Sequence, residues 1–298
     1  MVQAGQEANA IQLQARWRVQ EQDGVSRRDA LLKRLRASGE AVHKVESDLR
    51  GIPLIQEDLS GIDFSRCDLR GADLTGAQLP DAQFSWAKLQ GASLNGAQID
   101  RCQFLGADLT EANLNECKGT RVSFGASILA KATLFGAVLQ ESTCSKAKLP
   151  GADLRTAVLA GSRLRETDLR GANLAEADLQ SVDLTDARID RAILDGADLR
   201  EASLRGIKGY LTASWVSTDI RLVDFCGAYL VRRHIMDENY LHEFRSRSKG
   251  YEVLYQLWKL TSDCGRSLTR WGVFILAIAL VFAGLYSLVE IDYGDYRS

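Results

Sequence analysis

From Leu54 onward the hydrophobic residues of this 298-residue chain fall on a five-residue grid. It runs Leu54, Leu59, Phe64, Leu69, Leu74, and so on to Leu204, and 29 of its 31 positions are Leu, Ile or Phe, with lapses only at Gly119 and Cys144. Two residues before each grid position sits something small, such as Ala72, Ala77, Ala82 and Ala87, with Cys67, Cys102, Ser127 or Val182 as substitutes. The remaining positions are mostly polar. A helix of period 3.6 would smear such a repeat around its circumference, and a strand of period 2 would flip it between faces. A chain that turns a corner every five residues points both the large and the small member of each unit into one shared interior.

The grid also predicts how many sides the coil has. Phe64, Phe84, Phe104 and Phe124 are 20 residues apart, so four units per coil would stack these rings in one column, which Leu164, Leu184 and Leu204 continue. Beyond Leu204 the grid returns displaced by one, as Trp215, Ile220, Phe225 and Leu230. One extra residue within 206–212 explains the shift and returns Phe225 to the column, much as a bulge absorbs an insertion. Eight to nine coils stacked at ~4.8 Å give a rod of roughly 40 Å.

These residues, in the pattern A(D/N)LXX with a central Leu or Phe, resemble the pentapeptide-repeat family over about residues 52–230. The resemblance implies an all-β repeat fold, a right-handed quadrilateral parallel β-helix. It also implies a bacterial setting at the inner membrane, given the segments that follow.

An open β-helix end exposes strand edges and invites aggregation unless capped. Residues 1–51 are expected to supply an N-terminal helical cap: Ser26 precedes RRDALLKRLRASGEAVHKVESDL, in which Ala30, Leu31, Leu35 and then Ala41, Val42, Val45 recur at helical intervals around a break at Gly39. At the other end, Trp271 to Val289 is free of charge, and at 1.5 Å per residue it would span ~28 Å, close to the ~30 Å of a hydrocarbon core. Its Leu, Ile, Val and Phe favour insertion by about 5 kcal/mol. The expectation is a single transmembrane helix over 271–289 with a short tail, 290–298. Basic residues from Arg232 to Arg270 precede the span and only Arg297 follows it, which places the rod in the cytoplasm. Residues 231–270 form a basic, aromatic juxtamembrane linker, expected to turn Tyr251, Leu254, Tyr255 and Trp258 toward lipid, with Trp258, Arg270 and Trp271 as membrane anchors.

The stretch LWKLTSDCGRSLTRW is similar to the linker preceding the first membrane helix in bacterial proteins that join pentapeptide repeats to a two-helix, potassium-channel-like module. The chain departs from that pattern in having no pore helix, TxGYG filter or second membrane helix.

Charge and candidate chemistry change little. The formal net charge is −2, and residues 52–230 hold 24 acids against 19 bases, interleaved throughout; no basic face for nucleic acid is expected. Six cysteines show no CxxC pairing and no histidine at metal-ligand spacing, so reduced, buried thiols and no metal are expected. No signal peptide opens the chain, which agrees with a cytoplasmic N-terminal part. His43, His234 and His242 lie outside the repeats and form no recognisable dyad. The aspartates before grid leucines, such as Asp73, Asp108, Asp153 and Asp198, suit hydrogen bonding to turn backbone better than acid–base work. No phosphate-binding loop is spelled and no cofactor is implied. The expected function is non-catalytic: a membrane-tethered scaffold for an unidentified protein partner, with homo-oligomerisation as an option. An accessory or remnant subunit of a channel-like assembly is the alternative, with DNA mimicry toward topoisomerase a third and more distant one.

Overall fold

Every fifth residue from Asp48 pairs with the residue one coil onward. Parallel bridges join Asp48 to Asp68, Pro53 to Asp73, Asp58 to Gln78 and Asp63 to Gln83, and the step of 20 holds through Arg188 and Lys208. Four repeats close each coil, so the fold is a quadrilateral β-helix. The computed structural model describes residues 15–18, 26–38, 41–262 and 268–288. By contact it divides into two units, Met1–Met236, which holds the β-helix, and Asp237–Ser298.

The repeat Asp73–Ala77 shows why five residues suffice. Leu74 donates forward to Ser93 O at 2.7 Å and Asp73 donates back to Ile52 O at 2.9 Å, which ties the coil to both neighbours. Gly76 donates to Asn95 O at 2.8 Å, and Ala77 closes the corner on Leu74 O at 3.0 Å. The fifth donor, Thr75 N, reaches Asp73 Oδ1 at 3.1 Å. All five N–H groups are taken within a unit that buries only its leucine and alanine. Gly76 sits at φ +64°, a left-handed conformation that glycine adopts without a Cβ penalty. The same corner position also carries non-glycine residues, including Trp86 (φ 60°), Arg121 (φ 57°) and Glu141 (φ 53°). The second corner residue of the unit is thus left-handed whatever its identity, a demand the apolar pattern does not reveal.

Inside, the phenylalanine column forms as its spacing requires. Centroids of Phe64 and Phe84, Phe84 and Phe104, and Phe104 and Phe124 lie 5.2, 4.9 and 5.0 Å apart with interplanar angles of 11°, 5° and 6°. The ring spacing is close to the ~4.8 Å strand separation, so each ring stacks without tilting its backbone. Leu164, Leu184 and Leu204 continue the column fully buried, and Phe225 ends it packed partly against the core.

The inserted residue lies where the displaced grid puts it. From Ile193↔Ser214 onward the bridges join residues 21 apart, and the excess is taken up by the 3-10 turn Tyr210–Thr212, entered through Gly209 at φ 81°. Trp215 fills the interior there with its indole N–H on Tyr210 O at 3.0 Å. The last bridge reaches Asp224, and Leu230, expected on the grid, is 61% exposed within a helix. At the other end the ladder starts at Asp48, and Leu49 is fully buried as a further grid residue ahead of 52.

Both ends are covered. Helix α1, Arg27–Ser38, is entered through Ser26, whose hydroxyl oxygen accepts Asp29 N at 3.1 Å. Its Leu31, Leu32 and Leu35 join the core cluster, as does Trp17, whose indole N–H donates to Arg50 O at 2.9 Å. In place of a second helix around Val42 and Val45 there is a single 3-10 turn, Val42–Lys44. Val42 N already donates to Asp63 O in the first coil at 2.8 Å, so the chain is captured by the β-helix before a helix can propagate. The C-terminal cover is helix α2, Tyr229–Ser246, through buried Val231 and Ile235; that stretch reads as a linker in the sequence.

In the second unit, α2 runs on to Ser246, and α3, Lys249–Ser262, and α4, Leu268–Leu288, follow. Among the described residues no helix is long and apolar enough to cross a membrane. The transmembrane helix expected over 271–289 is therefore not shown. The apolar side chains that are described run only to Val281, about 15 Å of helix, half of a hydrocarbon core. The side chains of Trp271 and of 282–288, and all of 289–298, lie outside the described residues.

Candidate functional site

The surface of the β-helix consists of two corner residues per repeat and the outward residue before each grid position. That outward residue is most often Asp or Asn, and its Oδ1 accepts the first corner N–H: Ser65 on Asp63 at 2.9 Å, Thr110 on Asp108 at 3.0 Å, Asn115 on Asn113 at 3.0 Å. Where the position is Lys118, Thr133 or Ser214, the orphaned donor is met from the preceding coil. Asp100 accepts Thr120 N, Asn115 accepts Phe135 N, and Asp195 accepts Val216 N, at 3.0, 2.9 and 3.0 Å. The carboxylates are thus occupied by turn backbone, as their place in the repeat suggests.

Where a grid residue stands between Asp and Arg, the arginine closes a fork on that aspartate. Arg155 on Asp153, Arg170 on Asp168 and Arg200 on Asp198 each donate from Nε and Nη2 at 2.6–2.9 Å. Corner residues one coil apart add staples, Arg101 to Asp81 and Arg121 to Glu141. Hydrogen bonding from the partner arginine holds the carboxyls of Asp81, Asp153, Asp168, Asp198 and Asp219 below the usual carboxylate range. A carboxyl whose folded pKa is lowered contributes stability that is complete above its unfolded value of ~4 and lost as pH falls through the folded value. The denaturation midpoint should hold level from about pH 5 to 8 and drop below about pH 4. Asp153→Asn, Asp168→Asn and Asp198→Asn together keep the turn acceptor and remove the charge, so this triple variant should show a shallower acid limb. Circular dichroism in a denaturant series at each pH checks both outcomes.

The thiols of Cys67, Cys102, Cys117 and Cys144 are buried, and desolvation pushes each up to about 12. Cys226 is exposed, and Cys264 lies outside the described residues. In the native protein a maleimide at pH 7 should label Cys226 and spare the four interior thiols until denaturant is added. Among the described residues no group of His, Cys, Asp or Glu could hold a metal ion. His43 lies in the N-terminal 3-10 turn, His234 packs edge-on against Tyr210 at 5.8 Å, and His242 is exposed on α2.

The family model for pentapeptide repeats matches in eight copies, over 47–82, 78–116, 120–155, 152–191 and 167–206, more than half of the chain. The chain belongs to the pentapeptide-repeat family. Among solved structures it is similar to a trypsin-treated form of QnrB1, a plasmid-mediated fluoroquinolone resistance protein, at 15% identity and TM-score 0.48, over 61% of this chain and 96% of that one. It is also similar to HetL, involved in heterocyst differentiation regulation in the cyanobacterium Nostoc sp. strain PCC 7120, at 26% identity and TM-score 0.21, over 64% of this chain and 95% of that one. No curated protein matches.

The pentapeptide-repeat rod carries a few large apolar side chains at its corners. Trp86 is 60% exposed and lies across Gly106, where an added Cβ would meet its ring at 2.6 Å; Phe135 lies under the guanidinium of Arg155. The second unit exposes much more. Of the residues expected to face lipid, Leu254 is exposed, Tyr251 is exposed while packing edge-on against Phe244 at 5.1 Å, Trp258 packs edge-on against the same ring at 6.0 Å, and Tyr255 is buried beneath Arg245. The exposed apolar row of α3 is Val253, Leu254, Leu257 and Leu260. Phe244, near the C-terminal end of α2, meets this side of α3, a tertiary contact with no mark in the sequence of α3 alone. Arg270 is exposed in the first turn of α4. On α4 the consecutive residues Val273, Phe274, Ile275 and Leu276 are all exposed.

Proposed function

We propose that this pentapeptide-repeat protein is a non-catalytic, membrane-tethered scaffold whose rod presents protein-binding surface on the cytoplasmic face. The observation that supports the tether is the state of α4. Four consecutive apolar residues step around the helix by about 100° each and all are exposed, so among the described residues this stretch of α4 presents apolar side chains on every side. A helix that is apolar all round belongs in a protein core or in lipid, and the uncharged run continues in sequence to Val289. The basic residues ahead of it favour a cytoplasmic rod. For the rod, the mixed and largely paired surface charge supports a protein partner over a mimic of nucleic acid, which needs a field of one sign.

The intact chain should remain with the membrane fraction through an alkaline carbonate wash, and Ile278→Arg, which places a charge in the run at a cost of about 3 kcal/mol of insertion, should release much of it. Recovery of the intact protein in the supernatant of a detergent-free lysate would remove the tether.

A further inference from the structure

We infer that the face of the rod centred on Ile128 is a docking surface for a second copy of this chain, packed antiparallel. From Asp48 to Lys208, parallel bridges link the outward residues of this face in steps of 20, one per coil, with Ile128 in the middle. Counted outward from Ile128, Asp108 balances Lys148, Lys88 balances Asp168, and Asp68 balances Arg188. A twofold axis through Ile128, lying in the face and perpendicular to the rod, reverses the order of the rows and keeps each residue's place within its row. It sets Ile128 on its own copy and every one of these charges against its opposite. The corner positions follow the same rule: Arg66, Asp68 and Arg70 meet Asp186, Arg188 and Asp190, with the sign reversed at all three places. Asp48 and Lys208 continue the series, but Arg16 and Arg50 already hold Asp48, so the inner three pairs define the contact.

Each of the other three outward columns holds at most one cation, Arg163, Lys118 or none, so none of them can form more than one such pair. Parallel copies would set like charges together on this face, which fixes the antiparallel register. The central row, Ala126, Ile128 and Ala130, is uncharged and gives the contact an apolar middle inside a charged rim. The acids are preset. Asp108 accepts Thr110 N at 3.0 Å and Gln90 Nε2 at 2.6 Å, and Asp168 accepts Arg170 at 2.8 and 2.6 Å. A carboxylate held in this way keeps acceptor sites for a lysine of the second copy. Trp86 stands on the edge of the same face. An added Cβ at Gly106 would meet three atoms of its six-membered ring at 2.6, 2.6 and 2.9 Å, so the indole lies flat across the next row with its outer side exposed. The reversed register brings Lys146 of the second copy to that row, where it can rest on the open indole. The nine rows at ~4.8 Å make a face about 40 Å long, and a width of ~20 Å brings it to the ~800 Å² per partner of a standard interface. The pairing goes beyond the tether and does not depend on it.

The test uses the full chain in mild detergent. It should sediment as a dimer at about 10 μM and dissociate as salt is raised. In a Cys226→Ser, Cys264→Ser background, Ile128→Cys should crosslink to itself under mild oxidation. Asp108→Cys and Lys148→Cys should crosslink when the two proteins are mixed, and each alone about tenfold more slowly, because only the mixed pair is set face to face. Lys148→Glu should weaken the dimer about tenfold, and adding Asp108→Lys should restore it to within about twofold, a recovery that a misfolded variant cannot show. A monomer at that concentration, an Ile128→Cys chain that crosslinks no faster than Asn113→Cys on the neighbouring face, or a charge swap without recovery would each overturn the surface. Carbonate extraction of the same preparations reads the membrane tether separately, so failure of one is not mistaken for failure of the other.

Discussion

Phe104→Ala is expected to be among the most damaging single truncations in the rod, lowering its stability by about 3 to 5 kcal/mol. Phe104 is fully buried and stacks on both sides, with Phe84 at 4.9 Å and Phe124 at 5.0 Å. Alanine would leave a ring-sized void in the column, and neither neighbour can slide into it, because each is held at the coil spacing by its own backbone bridges. Phe225 serves as the internal comparison, since it is only partly buried at the end of the same column. Its truncation should lower the guanidinium midpoint by clearly less. A Phe104→Ala midpoint no lower than that of Phe225→Ala would mean that the stack contributes little beyond area.

Gly119→Leu is the second large effect, and its sign runs against the repeat. Leucine at 119 would restore the grid, so a consensus argument calls the change stabilising. The backbone says otherwise. An added Cβ at Gly119 would meet Ile99 Cγ1 at 2.8 Å and the Ile99 carbonyl carbon and oxygen at 2.9 Å. Main-chain atoms cannot turn aside as a flexible side chain can, so we expect a loss of about 3 kcal/mol or more, read from the same denaturation series. The coil is altered locally around this glycine. Val122 N, which in an ordinary repeat would return to the grid carbonyl, donates instead to Ser142 Oγ at 3.1 Å, and Ser142 N donates in turn to Ser162 Oγ at 2.9 Å. The buried serines that replace alanine in this part of the rod are therefore hydrogen-bonding parts of the detour. A stabilised Gly119→Leu variant would show that the coil relaxes back to the regular repeat once given a side chain.

The pH and thiol-labelling outcomes probe the surface and the interior of the same rod, and the extraction experiment probes the second unit. They divide along the boundary near Met236, so a failure in one set leaves the other intact.

Much of the β-helix was legible because its information is periodic. The interval between Phe64 and Phe84 is a distance along the chain, and it becomes a stacking distance once four corners close a coil. The displaced grid after Leu204 likewise announced the turn at Tyr210–Thr212, since an insertion leaves a mark on every later position. Even the role of the aspartates could be read, because Asp73 and its acceptor bond to Thr75 lie two residues apart. Where a side chain recurs at the coil interval, as the phenylalanines do, or bonds within its own turn, as Asp73 does, the sequence by itself determined the contact.

Tertiary structure alone decided what depends on non-periodic neighbours. The start of α2 as a cover for the rod could not be seen, because Val231 and Ile235 acquire their burial from an end surface made by residues scattered through the preceding coil. The turn at Val42–Lys44 replaced an expected helix for the same reason, since the bond from Val42 to Asp63 outcompetes a helical turn that tertiary contact does not otherwise support. Which side of α3 is covered was set by Phe244 against Trp258 and by Arg245 over Tyr255. Local spacing fixes which residues can share a face; only the packing partner decides which face is buried.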